Sequence, residues 1–110
     1  MRRAGRLTSS GEFRRAYTEG KRAAIGTVVV HVRATGEDHP PRIGVSVARG
    51  IRTAVERNRI KRRLREAVRQ VEAELPEGAD AVVAGSAATG SEDYQDLVNN
   101  LRAALARAGS

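Results

Sequence analysis

The chain has 110 residues, no cysteine, and only Phe13, Tyr17 and Tyr94 as phenylalanine, tyrosine or tryptophan. One domain over 1–110 must therefore be built around Val, Ala, Leu and Ile, with no disulfide framework and no thiolate metal site. Its formal charge of +7 rests on eighteen arginines and two lysines, and guanidinium forks that grip phosphate and stack on bases point to nucleic acid as partner.

Residues 1–8 are basic, and 1–5 are expected to be loose. Met1-Arg2-Arg3 is followed by no apolar signal region, and no apolar run is long enough to span a bilayer. A membrane surface is disfavoured too, for want of an aromatic anchor, so the expected location is the cytoplasm. Ser9-Ser10-Gly11-Glu12 reads as a capping box, starting a helix that runs to about position 19 before Gly20. Phe13, Ala16 and Tyr17 share one face of it, beside Arg14 and Arg15. That face either pins the helix to the core or offers a stacking platform for unpaired bases, and composition does not separate the two.

Residues 25–34 alternate as a strand, with Gly26, Val28, Val30 and Val32 inward and Thr27, Val29, His31 and Arg33 on a partly open face. After a turn cluster at 36–41, residues 42–48 alternate again. Ile43, Val45 and Val47 point inward, and Arg42, Gly44, Ser46 and Ala48 outward. The two strands are expected to form a hairpin whose small, polar face could hold an extended single strand or be covered by a helix.

The segment 49–75 dominates the chain. Positions 49–69 hold nine basic residues against two glutamates, a surplus equal to that of the whole protein. Thr53 and Glu56 signal a helix start, and Pro76 and Gly78 its end. Ile60, Leu64, Ala67, Val68, Val71 and Leu75 form one apolar stripe at helical spacing. Asn58, Arg62, Arg65 and Arg69 line the opposite face, flanked by Arg59 and Lys61. Seven basic groups between positions 57 and 69 face Glu66 alone, so i,i+4 pairing cannot neutralise them and a polyanion can. A short buried strand at 81–85 follows. Thr89-Gly90-Ser91-Glu92 reads as a third capping box, and Tyr94, Leu97, Val98, Leu101 and Leu105 form the packing face of a last helix.

Catalytic groups are missing. The two histidines, His31 and His39, fit ordinary surface or half-buried roles, and the carboxylates sit mostly in caps and turns. No zinc spacing or phosphate-cradling glycine loop occurs, so neither a catalytic residue nor a metal or cofactor site is expected in the protein itself. A DNA-binding basic region is disfavoured because Pro76 ends the helix where a zipper would continue, without heptads beyond. An RNA chaperone or ribosome-associated protein stays open as an alternative.

Ala54-Val55-Glu56-Arg57-Asn58-Arg59-Ile60-Lys61-Arg62-Arg63-Leu64-Arg65-Glu66 closely resembles the "RNR" signature of the protein subunit of bacterial ribonuclease P. Arg6-Leu7 with Ser9, Phe13 and Tyr17 is similar to that family's opening, Gly44-Val45-Ser46-Val47 to its central strand, and Ala79-Asp80-Ala81-Val82-Val83-Ala84 to its last strand. The resemblance implies an α+β fold, a single-domain α-β sandwich of order αβββαβα. Its sheet would be small and mostly antiparallel, with a left-handed β-α-β crossover against the usual rule. It also implies a non-catalytic subunit of a ribonucleoprotein endonuclease, in which a large RNA, with Mg2+, performs the chemistry. The partners would be that catalytic RNA and precursor tRNA, whose 5′ leader is removed. Arg49, Arg57, Asn58, Arg59, Lys61, Arg62, Arg65 and Arg69 would meet the catalytic RNA. Phe13, Tyr17, His31 and Ser46 would line the leader cleft. His31 and Val28 stand where the family often has aromatic residues, Gly85 where a basic residue is common, and Gly50 and Arg52-Thr53 alter the loop before the helix.

Overall fold

A computed structural model describes residues 5–7, 9–48 and 50–109, so Arg49 lies outside the described part. The elements, in chain order, are β1 (Gly5–Arg6), α1 (Ser10–Glu19), β2 (Lys21–Ile25), β3 (Val28–Ala34), β4 (Arg42–Val47), α2 (Ala54–Val71), β5 (Ala79–Gly85) and α3 (Tyr94–Gly109). Short 3₁₀ turns at Glu72–Glu74 and Ala87–Gly90 flank β5. The five strands form one sheet in the order β1-β4-β5-β3-β2. No helix among the described residues is long and apolar enough to cross a membrane.

The expected α+β order αβββαβα is found behind the two-residue β1, and α2 links the parallel strands β4 and β5 as a β-α-β unit, while two finer expectations about strand pairing are corrected. The sheet is mixed: β2–β3 and β3–β5 run antiparallel, β4–β5 and β1–β4 parallel. The expected hairpin between 25–34 and 42–48 does not form, because β5 is inserted between β3 and β4. The hairpin that does form joins β2 to β3 through Gly26 and Thr27. Gly26, at φ +61°, takes the first turn position, where a hairpin of this length favours glycine. β2 lacks an apolar alternation because it is an edge strand with Lys21, Arg22 and Ala24 exposed.

The alternation within β3 and β4 holds. Val28, Val30, Val32, Ile43 and Val47 are buried beneath α2 and α3, together with Ala81 and Val83 of β5. α2 adds Ile60, Leu64, Ala67, Val68 and Val71 to this core, and α3 adds Leu97, Leu101 and Leu105. Gly85 is buried where a Cβ would lie 2.8 Å from Leu64, so close packing requires glycine there. The opposite face carries α1, whose Ala16 and Phe13 pack with Leu7 and Val82.

Two cap readings change. Ser9 precedes α1, but its side chain makes no capping hydrogen bond. The Thr89–Glu92 motif does not cap α3. Instead Asp93 Oδ2 accepts from the amide of Asp96, and Thr89 joins a capping box with Ser86.

Glu12, expected to cap α1, is engaged elsewhere. It accepts from Arg42 Nη1 at 2.7 Å, while Arg42 Nε and Nη2 donate to both carboxylate oxygens of Asp80 at 2.8 and 2.9 Å. Arg33 stands 3.8 Å from the same carboxylate and donates to Glu19 at 3.1 Å. Asp80 is fully buried, so this network ties both ends of α1 to three strands through one carboxylate. The Asp80 hydrogen bonds, ahead of the nearby carboxylate charges, raise the Arg42 pKa above its ordinary value. We predict that Asp80→Asn lowers stability by about 3 kcal/mol in urea unfolding, because it removes the charge that Arg42 answers. The Asp80→Leu, Arg42→Met pair should recover most of that loss.

Candidate nucleic-acid interface

α2 begins at Thr53, whose Oγ1 accepts from the Glu56 amide at 3.1 Å. Gly50, at φ +97°, turns the chain into this start. Burial of the Ile60–Val71 stripe fixes the rotation of α2, so the basic residues separate into three groups by position.

The first group faces α3. Arg63 donates through Nη1 to the Gly90 carbonyl at 2.9 Å and through Nη2 to the Glu92 carbonyl, and its guanidinium lies 6.0 Å from the Tyr94 ring. Arg59 Nη2 donates to the same Gly90 carbonyl at 3.2 Å. These two arginines clamp the helix to the turn ahead of α3. The clamp was not legible in the sequence, where the two read as part of one basic run.

The second group is the outer stripe. Asn58, Arg62, Arg65 and Arg69 are all exposed, and among the described residues none of them has an ion pair or a side-chain hydrogen bond. Val55, 77% exposed, extends the stripe one turn toward the helix start. The third group, Arg57 and Lys61, is half-buried on the flank away from α3. A stripe of cations that form no ion pair among the described residues is suited to holding successive phosphates.

On the other sheet face, Tyr17 and His31 meet edge to face, with ring centroids 4.7 Å apart. Tyr17 remains 41% exposed. Phe13 is half-buried over Gly44, where a Cβ would fall 2.3 Å from its ring, so it does pin α1 to the sheet. Ser46 sits one ladder step further along, beside Ala84 and Val29. These three half-exposed residues make a smooth, uncharged floor. Val28 does not belong to this surface: it is fully buried on the opposite face, and Val29 takes its place.

Burial, and secondarily the charge of Arg22, lowers the pKa of His31 below 6.5, and its buried Nδ1 has no hydrogen-bond partner among the described residues. A neutral ring is therefore favoured in the folded state. The unfolded chain takes up this proton first, so the stability that depends on a neutral His31 is complete above 6.5 and declines as pH falls through that value. Urea unfolding at about pH 7.5 and about pH 5 should show a smaller acid loss in His31→Phe than in the parent chain. An equal loss in both would contradict the assignment.

Among the described residues, no three His, Asp or Glu side chains converge as metal ligands. The Ribonuclease P family model matches residues 1–109. The ribonuclease P protein component of Gluconacetobacter diazotrophicus is 39% identical over 108 residues, covering 97% of this chain and 93% of that protein. Its counterpart from Streptomyces griseus is also 39% identical, covering 93% and 89%. Among solved structures, the RNase P protein of Thermotoga maritima superposes with a TM-score of 0.77 at 30% identity, covering 93% of this chain and 96% of that one. The Staphylococcus aureus protein gives 0.75 at 27%, covering 98% and 100%. A cation-lined helix on a small mixed sheet thus accompanies a sequence match over nearly the whole length, and the chain belongs to the bacterial ribonuclease P protein family.

Proposed function

We propose that this protein docks on the catalytic RNA of ribonuclease P through the outer face of α2 and guides the 5′ leader of precursor tRNA across the Tyr17–His31–Ser46 surface. The observation that carries the reading is the exposed, un-neutralised stripe Asn58, Arg62, Arg65 and Arg69 on a helix rigidly fixed by its other side. Its cations replace the counterions of an RNA backbone, which frees them to solution and favours binding. The uncharged floor of Ser46, Ala84 and Val29, with Tyr17 and His31 at its margin, suits an extended single strand held by stacking and shape. Phe13 contributes chiefly by fixing α1 at the edge of that floor. Hydrolysis and the Mg2+ it needs are assigned to the RNA subunit, and the protein's part is to position substrate in the cytoplasm of a bacterial cell.

Mixed with a bacterial ribonuclease P RNA and precursor tRNA at low magnesium, the protein should stimulate release of the 5′ leader. No stimulation would contradict the reading, and equal affinity for unrelated RNAs would favour an RNA chaperone. Arg62→Ala with Arg65→Ala should reduce the slope of log affinity against log salt by about 1.5 for the catalytic RNA. An unchanged slope would remove α2 from the docking surface.

A further inference from the structure

The outer edge of β4 is only partly covered. β1 pairs with Arg42 and Ile43 alone, and no strand among the described residues pairs with that edge beyond them. The Leu7 amide donates outward-side to the Ile43 carbonyl, whereas the Ala48 amide donates to Gly85 on the β5 side. Alternation along the strand therefore places the amide and carbonyl of Val45 on the open edge.

A groove of about 780 Å³ follows this edge between α2 and residues 5–7. Its floor is apolar: Leu7, Phe13, Val45 and Val68. Its α2 wall carries Arg65 and Arg69, one helical turn apart, and Arg6 stands on the opposite wall with Glu72 at one end. Three guanidinium groups against one carboxylate make the rim cationic over an apolar bed. Residues assigned from sequence to two separate surfaces, Phe13 to leader and Arg65 and Arg69 to catalytic RNA, here border one cavity.

We infer that this groove is a nucleotide site, taking one unpaired nucleotide of the catalytic RNA with its base against Val45, Val68 and Phe13 and its phosphate between Arg65 and Arg69. The inference rests on the docking role proposed for α2. The volume suits a single base with its ribose rather than a duplex. Arg65 and Arg69 lie at i and i+4, close enough to share one phosphate. The amide and carbonyl of Val45, unpaired among the described residues, place a donor beside an acceptor, the pattern that a base edge reads by hydrogen bonding. The catalytic RNA is the source because both arginines continue the Asn58–Arg62 stripe, whereas the Tyr17–His31 pair lies across the sheet toward β2.

The chain has no cysteine, so Val45→Cys supplies a single attachment point for a photo-crosslinker. In the reconstituted complex, labelled protein should crosslink to one discrete unpaired nucleotide of the catalytic RNA, with the same pattern with and without precursor tRNA. Crosslinks confined to the leader, or scattered over many nucleotides, would overturn the assignment. Separately, Val45→Trp fills the groove without changing its charge. It should weaken catalytic-RNA binding by about tenfold while leaving the salt slope unchanged. Unaltered binding by a Val45→Trp protein of parental Tm would also overturn it. If the parent protein stimulates leader removal and these two results fail, the groove alone is rejected. If the parent protein gives no stimulation, the underlying docking reading falls as well.

Discussion

The central position of β5 is the constraint on which the rest of the molecule depends. It pairs antiparallel with β3 on one edge and parallel with β4 on the other. A parallel neighbour next in the chain can be reached only by a crossover, and that crossover is α2. The helix must then lie across the sheet, with Ile60, Leu64, Ala67, Val68 and Val71 beneath it. Once that stripe is buried, the azimuth of every arginine on α2 is set by helical geometry. The exposed basic stripe is thus a product of strand order, even though no strand residue belongs to it.

Electrostatics then divides the arginines. Arg42 and Arg33 serve the buried carboxylate of Asp80, Arg63 and Arg59 serve backbone carbonyls ahead of α3, and Arg102 pairs with Glu74 at 2.9 Å. The groups on the outer stripe of α2 have no such partner among the described residues. Their mutual repulsion opposes the folded state, and a bound polyanion would relieve it, so RNA binding should also stabilise the fold. The two classes look alike in sequence: Arg62 and Arg63 are neighbours, yet one is exposed and the other clamps a turn.

This explains what could be read beforehand. The α2 stripe and the alternation of β3 and β4 were legible because burial imposes a period on one element at a time. The basic face of α2 was legible for the same reason. Strand order was not, since the pairing of β5 between β3 and β4 is a long-range choice that leaves no local period. β2 was hidden because an edge strand need not alternate, and Gly26 read as a strand residue rather than a turn. Asp80 resembled an ordinary turn carboxylate, and only the register opposite Arg42 and Arg33 reveals its burial. The motifs Ser9–Glu12 and Thr89–Glu92 had the right spacing for caps, but tertiary partners claimed Glu12 and Thr89. Of the candidate leader residues, Tyr17 and His31 came together, and Val28 lies on the core face that strand alternation assigns to it.

The central claim is that protein acceptors engage one set of arginines and leave another for RNA. Arginine-selective modification with phenylglyoxal, read by mass spectrometry with and without the catalytic RNA, tests it directly. Arg62, Arg65 and Arg69 should react readily in the free protein and become protected when the RNA binds, whereas Arg42 and Arg63 should react slowly in both states. Equal reactivity of Arg62, Arg65 and Arg69 with and without bound RNA would contradict the account.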